Sequence, residues 1–84
     1  MTRLLYFAWV REQIGTGEEL LDVPPDVYDV HALLDWLATT SDRHATALAD
    51  RERLRAAVDG AFVGADAPVQ GAAEIAIFPP VTGG

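Results

Sequence analysis

The chain contains no cysteine and no lysine, and each absence removes a class of chemistry. Without cysteine there is no disulfide, no thiolate metal site and no thiol nucleophile. A small domain without such cross-links is expected in a reducing cytosol, which predicts a cytoplasmic location. Without lysine there is no Schiff-base amine, no P-loop lysine and no side-chain amine for self-linkage.

Serine, basic residues and long apolar stretches are also scarce. Ser41 is the single serine, and the sequence shows no base near it. Residues 4–10 are apolar, but Arg11 and Glu12 follow directly, and a membrane span needs about 20 apolar residues. No small-residue cleavage site of a signal peptide follows that stretch. Neither a membrane anchor nor a secretion signal is therefore predicted.

The charge balance is strongly acidic. Thirteen Asp and Glu residues stand against six Arg, giving a net charge of −7. Such a domain is repelled by phosphate backbones and by anionic lipid, so nucleic acid and membrane surfaces are excluded as expected partners. A basic cleft on another protein is the partner that this charge favours.

The hydrophobic pattern predicts one small domain with a packed core. The chain has 84 residues, of which 50% are hydrophobic. Residues 4–10 and 18–23 are predicted to form an antiparallel pair of strands, the first apolar on both faces and central in a sheet. Asp29 is predicted to cap a helix whose apolar stripe, with Trp36 at its margin, contains Val30, Leu33, Leu34 and Leu37.

The second half of the chain reads mainly as strands. Residues 54–58 and 61–63 flank Asp59-Gly60, a dipeptide typical of tight hairpin turns. The pattern of residues 74–78 predicts a final strand, parallel to the first. The composition of residues 41–53 predicts only a turn or a short helix near 45–49. The order indicates an α+β fold of the β-grasp or ubiquitin-like type, with a mixed sheet of four to five strands and one main helix packed across one face. Its domain is predicted to comprise residues 1–78, followed by an extended tail at 79–84.

The tail is the strongest functional signal in the sequence. Gly83 and Gly84 end the chain with no side chain to shield the terminal carboxylate, and Pro79 and Pro80 favour an extended course. Six residues at about 3.1–3.6 Å each give a reach of roughly 20 Å, enough to enter another protein's active site. A carboxylate becomes an acyl donor only after activation, for example by adenylation. The chain has no phosphate-binding loop, so a partner must supply that step.

Other candidate groups are weaker. His31 and Asp35 stand four residues apart on the predicted helix and His44 follows, but two histidines fall short of a closed ligand set, so no metal site is predicted. Phenylalanines are usually core residues, but aromatic anchors also dominate interfaces. Phe78, at the start of the tail, is the one best placed for partial exposure.

Three runs of sequence resemble the small-subunit family of molybdopterin synthase, which comprises ubiquitin-like sulfur carriers of molybdenum cofactor biosynthesis. They are YFAWVREQIG at residues 6–15, AAVD at 56–59 and EIAIFPPVTGG at 74–84. Asp59 stands where that family often has Asn, and Ala72-Ala73 where an acidic turn is common. Neither difference touches the tail.

The resemblance implies a two-stage cycle at Gly84. An adenylating enzyme related to ubiquitin-activating enzymes would form an acyl-adenylate with ATP, and a sulfurtransferase would then supply the sulfur of a thiocarboxylate. The carrier would dock on the large subunit of molybdopterin synthase and deliver sulfur to cyclic pyranopterin monophosphate. Catalytic side chains would belong to the large subunit, and the carrier itself would bind no cofactor. The implied partner contacts are Phe7, Arg11, Phe62, Phe78, Pro79, Pro80, Val81 and Thr82.

Two alternatives within the same fold stay open. A sulfur carrier for thiamine thiazole synthesis shares the Gly-Gly end but usually lacks the Phe-Pro-Pro approach found at residues 78–80. A ubiquitin-like modifier would instead join its terminus to lysines of target proteins. A plain binding module whose tail has no role is a further alternative.

Overall fold

The computed structural model describes residues 1–80 and contains a five-stranded sheet in the order β2-β1-β5-β3-β4. Strands β1 and β5 are parallel, and the other neighbours are antiparallel. This mixed sheet confirms the predicted β-grasp arrangement. The elements are β1 (Thr2–Tyr6), α1 (Ala8–Ile14), β2 (Glu18–Leu21), α2 (Val30–Ala38), α3 (Asp42–Ala47), a 3-10 turn (Arg51–Arg53), β3 (Arg55–Val58), β4 (Ala61–Val63) and β5 (Glu74–Phe78).

Helix α2 forms as its sequence predicts. The Asp29 carboxylate accepts the Ala32 N–H at 2.8 Å, which satisfies one of the unpaired donors at the helix start. The four apolar residues of the predicted stripe are all buried, and Trp36 is half-buried at its edge. The helix therefore has one side suited to packing against a sheet.

The first strand is shorter than predicted. It ends at Tyr6, and Ala8 begins α1 with a φ of 52°, so the prediction of strand through Val10 is wrong. Val10 and Ile14 lie four residues apart and are both buried, because helical rather than strand spacing brings them to the core. Strand β1 also buries mainly one face, since Arg3 is exposed, and it lies beside the central strand β5.

Residues 41–53, predicted as a turn or a short helix, contain α3 and the 3-10 turn. Helix α3 begins after Ser41, whose hydroxyl accepts the His44 N–H at 3.1 Å. One side of this segment packs against the core, since His44, Ala47 and Leu48 are buried. The short helix allowed near residues 45–49 is therefore present, and α1 and α3 accompany the main helix α2.

The Asp59-Gly60 turn joins β3 to β4 as predicted. Asp59 and Gly60 adopt φ values of 49° and 86°, the left-handed pair that a two-residue hairpin needs. The Asp59 carboxylate also accepts the N–H groups of Ala73 and Glu74, each at 3.0 Å. The turn is thereby tied to the start of β5.

The helices cover one face of the sheet and leave the other open. The inner face contributes Leu4, Tyr6, Ile75 and Ile77, each at most 1% exposed, to the core. Since β5 runs parallel to β1, the chain leaves the sheet after Phe78 at the end where β1 passes into α1. Of the helices described, none has the length and apolar character needed to cross a lipid bilayer.

Candidate docking site beside the C-terminal tail

Small and aromatic residues alternate with the core residues and form an apolar patch on the open face of the sheet. Ala76 on β5 pairs with Leu5 on one side and Ala57 on the other, and Ala57 pairs with Phe62 on the edge strand. Because side chains of paired residues lie on the same face, these residues form one row across the sheet. The two alanines make a shallow floor.

Three phenylalanines surround this floor. Phe62 is 84% exposed and Phe7 is 47% exposed, while Phe78 is half-buried. The rings of Phe62 and Phe78 lie with their centroids 5.5 Å apart. The usual core position is therefore wrong for Phe7 and Phe62, and the expected partial exposure of Phe78 is confirmed.

The patch reaches the point where the tail begins. The depression between the rings has a volume of about 670 Å³ and is lined by Phe7, Ala8, Ala57, Gly60, Phe62, Ala76, Phe78, Pro79 and Pro80. Within residues 1–80 no element covers it, and an exposed apolar surface of this kind marks an interaction site. We call these nine residues the docking face.

The surroundings of the docking face are polar. Towards the other end of the sheet, Arg3 forms an ion pair with Glu18 at 3.4 Å. Arg55 stands opposite Phe78 in the strand register and is exposed at the rim. An apolar centre with a charged rim is the usual anatomy of a protein interface.

Five of the eight expected partner contacts line the depression at the tail exit: Phe7, Phe62, Phe78, Pro79 and Pro80. Arg11 lies elsewhere, exposed on α1 with its guanidinium beside Gly17. Val81 and Thr82, with Gly83 and Gly84, lie outside the described residues. Ala57 and Ala76 were not predicted from the sequence, although strand alternation from Phe78 places Ala76 on the same face.

A second polar cluster lies on the helical side. The expectation that Ser41 has no base nearby is wrong, because its hydroxyl oxygen lies 2.6 Å from His44 Nδ1. His44 Nε2 lies 2.7 Å from Glu19 Oε1, and the buried Tyr6 hydroxyl donates to the same oxygen at 2.8 Å. Burial raises the pKa of the Tyr6 phenol, and its hydrogen bond to Glu19 acts in the same direction.

The other histidine belongs to the helix surface. His31 Nε2 lies 3.6 Å from Asp35, and both side chains are more than half exposed. Within residues 1–80, no group of three or more His, Cys, Asp or Glu side chains is placed to hold a metal ion.

Fold and docking face together define a ubiquitin-like β-grasp domain with an interaction surface at the root of its C-terminal tail. The chain belongs to the ThiS family, whose model matches residues 4–84. It is 45% identical over 84 residues to the molybdopterin synthase sulfur carrier subunit of Escherichia coli (strain K12), with 100% of each chain covered. This match confirms the family resemblance drawn from the sequence.

Further relatives agree in fold and length. The chain is 34% identical over 84 residues to the molybdopterin synthase sulfur carrier subunit of Haemophilus influenzae (strain ATCC 51907 / DSM 11121 / KW20 / Rd), again with 100% of each covered. Its fold is similar to that of H. volcanii small archaeal modifier protein 1, with a TM-score of 0.68 and 27% identity. That comparison covers 95% of this chain and 97% of the solved one.

Proposed function

We propose that this chain is the sulfur carrier subunit of a molybdopterin synthase and that Gly84 carries the sulfur as a C-terminal thiocarboxylate. The observation that carries the proposal is the docking face at the root of a Pro-Pro-Val-Thr-Gly-Gly tail. A chain 45% identical, matched over its whole length, bears the name of that subunit. The mechanism follows from the chemistry of a carboxylate.

Loading the carrier requires two steps at the Gly84 carboxyl. A carboxylate oxygen first attacks the α-phosphate of ATP, which forms an acyl-adenylate and releases pyrophosphate. A persulfide on the sulfurtransferase then attacks the acyl carbon, AMP leaves, and an acyl disulfide forms. A thiol attacks the donor's sulfur in that disulfide, which frees the thiocarboxylate and leaves a disulfide on the donor. An adenylating enzyme and a sulfurtransferase supply these steps, and no ATP or other cofactor is proposed to reside on the carrier itself.

The docking face positions the loaded tail. Phe62, Phe7 and Phe78 are the kind of aromatic anchors that dominate binding energy when a partner buries them. With the face seated on the large synthase subunit, the tail from Pro79 onward would reach about 20 Å into that subunit's active site. There its sulfur bonds to cyclic pyranopterin monophosphate, and water cleaves the acyl–sulfur bond, which regenerates the carboxylate. The catalytic side chains come from the large subunit.

Charge supports the choice of partner. The carrier has a net charge of −7, so a basic surface around the partner's cleft would speed encounter. The predicted cytoplasmic location belongs to the same proposal, since ATP and a reducing environment are required for loading.

Loading is tested by intact mass spectrometry of the purified chain. After incubation with the adenylating enzyme, ATP, a sulfurtransferase and a sulfur source, we expect the mass to rise by the difference between one sulfur and one oxygen. Omission of ATP and deletion of Gly84 are the controls, and both should leave the mass unchanged. An unchanged mass for the intact chain with enzymes that load a known carrier would contradict the proposal.

A second candidate function is protein modification, favoured by the fold similarity to a protein named small archaeal modifier protein 1. The activated Gly84 carboxyl would then form an amide with a lysine of another protein. Immunoblots of cells expressing a tagged chain would show discrete bands of higher mass that disappear when Gly84 is deleted. A thiazole synthase in pull-downs, in place of the large synthase subunit, would instead indicate thiamine synthesis.

A further inference from the structure

Three consecutive hydroxyl groups follow helix α2, and their protons have different acceptors. Thr39 and Thr40 donate to the backbone carbonyls of Trp36 and Leu37, each at 2.6 Å. Ser41 instead lies 2.6 Å from the Nδ1 atom of His44. A carbonyl cannot take up a proton at neutral pH, whereas an imidazole can, so the serine alone has a base as its partner.

The imidazole is held in one orientation by the interior of the protein. His44 is 7% exposed, and its Nε2 lies 2.7 Å from Glu19 Oε1 on strand β2. The Tyr6 hydroxyl occupies the same carboxylate oxygen, and its ring meets the imidazole edge-on at 6.1 Å. With Glu19 accepting from Nε2–H, Nδ1 presents its lone pair to Ser41.

We propose that Ser41, with His44 as its base and Glu19 orienting the imidazole, is a nucleophilic acceptor of acyl groups from small activated esters. Nucleophile, base and orienting carboxylate lie in one hydrogen-bonded chain of the lengths that this chemistry requires. The proposal is independent of the tail and of sulfur transfer. Because Ser41 is exposed, the ester approaches from solvent, which favours small donors with good leaving groups.

The reaction is a balanced acyl transfer. Ser41 Oγ bonds to the ester carbonyl carbon while its proton moves to His44 Nδ1, and Glu19 stabilises the resulting imidazolium. The bond to the leaving group then breaks, and the leaving group takes the proton from Nδ1. Ser41 Oγ also accepts the His44 backbone N–H at 3.1 Å, which engages one of its two lone pairs and leaves the other for attack.

The test is acetylation of the full chain by p-nitrophenyl acetate, with modified residues located by peptide mass spectrometry. Thr39 and Thr40 are internal controls, since they are exposed hydroxyls on the same peptide without a base. We expect Ser41 to be acetylated about 100-fold faster than either threonine, the contribution typical of a positioned base.

Two variants separate nucleophilic activation from helix capping. His44→Gln should slow Ser41 acetylation about 100-fold by removing the base. Glu19→Gln retains an acceptor for Tyr6 and His44 and should slow it about tenfold by removing the charge that stabilises the imidazolium. Circular dichroism verifies that each variant is folded. Equal acetylation of Ser41 and the two threonines, or an unchanged Ser41 rate in both variants, would show that Ser41 serves only as a helix cap.

Discussion

Among the described residues, two that are not glycine hold positive φ angles, and both lie at junctions of elements. Ala8, at 52°, turns the chain from β1 directly into α1, and Asp59, at 49°, forms the β3–β4 turn. An L-residue in this region is strained unless its side chain compensates. Asp59 has such compensation in its two hydrogen bonds to the start of β5, and Ala8 has no polar side chain to provide it.

Replacement of Asp59 tests this difference. Asp59→Ala removes the acceptor of the Ala73 and Glu74 N–H groups and leaves a methyl group at positive φ. We expect the free energy of unfolding to fall by about 1–3 kcal/mol in urea titrations. Asp59→Asn keeps an acceptor, and asparagine tolerates the left-handed region. Its free energy of unfolding should therefore stay close to that of the original chain. Equal loss in both variants would contradict the role given to the carboxylate.

Replacement of Ala8 should act in the opposite direction. Ala8→Gly relieves about 1–2 kcal/mol of left-handed strain, and the greater freedom of glycine in the unfolded chain offsets part of that gain. We expect the free energy of unfolding to rise by about 0.5 kcal/mol. The matched control is Ala32→Gly inside α2, where glycine should cost about 1 kcal/mol. If Ala8→Gly lowered the free energy of unfolding as Ala32→Gly does, Ala8 would not be strained.

At the scale of elements, the accuracy of the sequence prediction depends on how local the determining signal is. Helix α2 and the Asp59-Gly60 hairpin were predictable because a cap, an apolar stripe and a turn dipeptide are contained in short segments. The start of α1 was not predictable, because no feature of the sequence indicates that an alanine will adopt a positive φ. The link from His44 to Glu19 joins residues 25 positions apart, and only the tertiary fold brings them together.

Tyr6 connects β1 to β2 and should control stability at alkaline pH. Its folded-state pKa is raised by burial, whereas the unfolded chain ionises near pH 10. The folded state therefore retains a proton that the unfolded state loses, and stability should fall by up to about 1.4 kcal/mol per pH unit above pH 10. The chain has no lysine or cysteine to obscure this slope.

Urea titrations between neutral and alkaline pH measure the effect. Tyr6→Phe should lose most of the alkaline decline, although removal of the hydroxyl also leaves Glu19 with one donor fewer. Tyr28, which is 71% exposed, provides the matched control, and Tyr28→Phe should retain the decline. An identical alkaline slope in the original chain and in Tyr6→Phe would contradict this assignment.

At the scale of the whole molecule, the fold divides into a packed side and an interaction side. The helices seal one face of the sheet, and the docking face occupies the other, next to the residues that enter the tail. The chain leaves the sheet for Pro79 and Pro80 at that edge because β5 pairs in parallel with β1. The tail and the three phenylalanines near its start could be predicted from the sequence. The floor of Ala57 and Ala76 could not, because the strand register brings these residues together.

Phe62 should be an anchor for the large subunit without being needed for folding. Because it is 84% exposed, Phe62→Ala should leave the melting temperature nearly unchanged. The binding free energy of the Phe62→Ala variant for the large synthase subunit, measured by calorimetry, should weaken by about 1–3 kcal/mol. Tyr28→Ala removes another exposed aromatic ring, one that lies away from the docking face, and this variant should bind normally. Equal affinities for the two variants would exclude the docking face as the interface.

Delivery of sulfur is the most direct test of the carrier role. The loaded chain, carrying its thiocarboxylate at Gly84, is mixed with the large subunit and cyclic pyranopterin monophosphate, and its intact mass is followed in a single turnover. We expect the mass to return to that of the carboxylate form as molybdopterin appears, and to stay unchanged when the pterin is omitted. Retention of the sulfur while a known carrier discharges under the same conditions would contradict the carrier role.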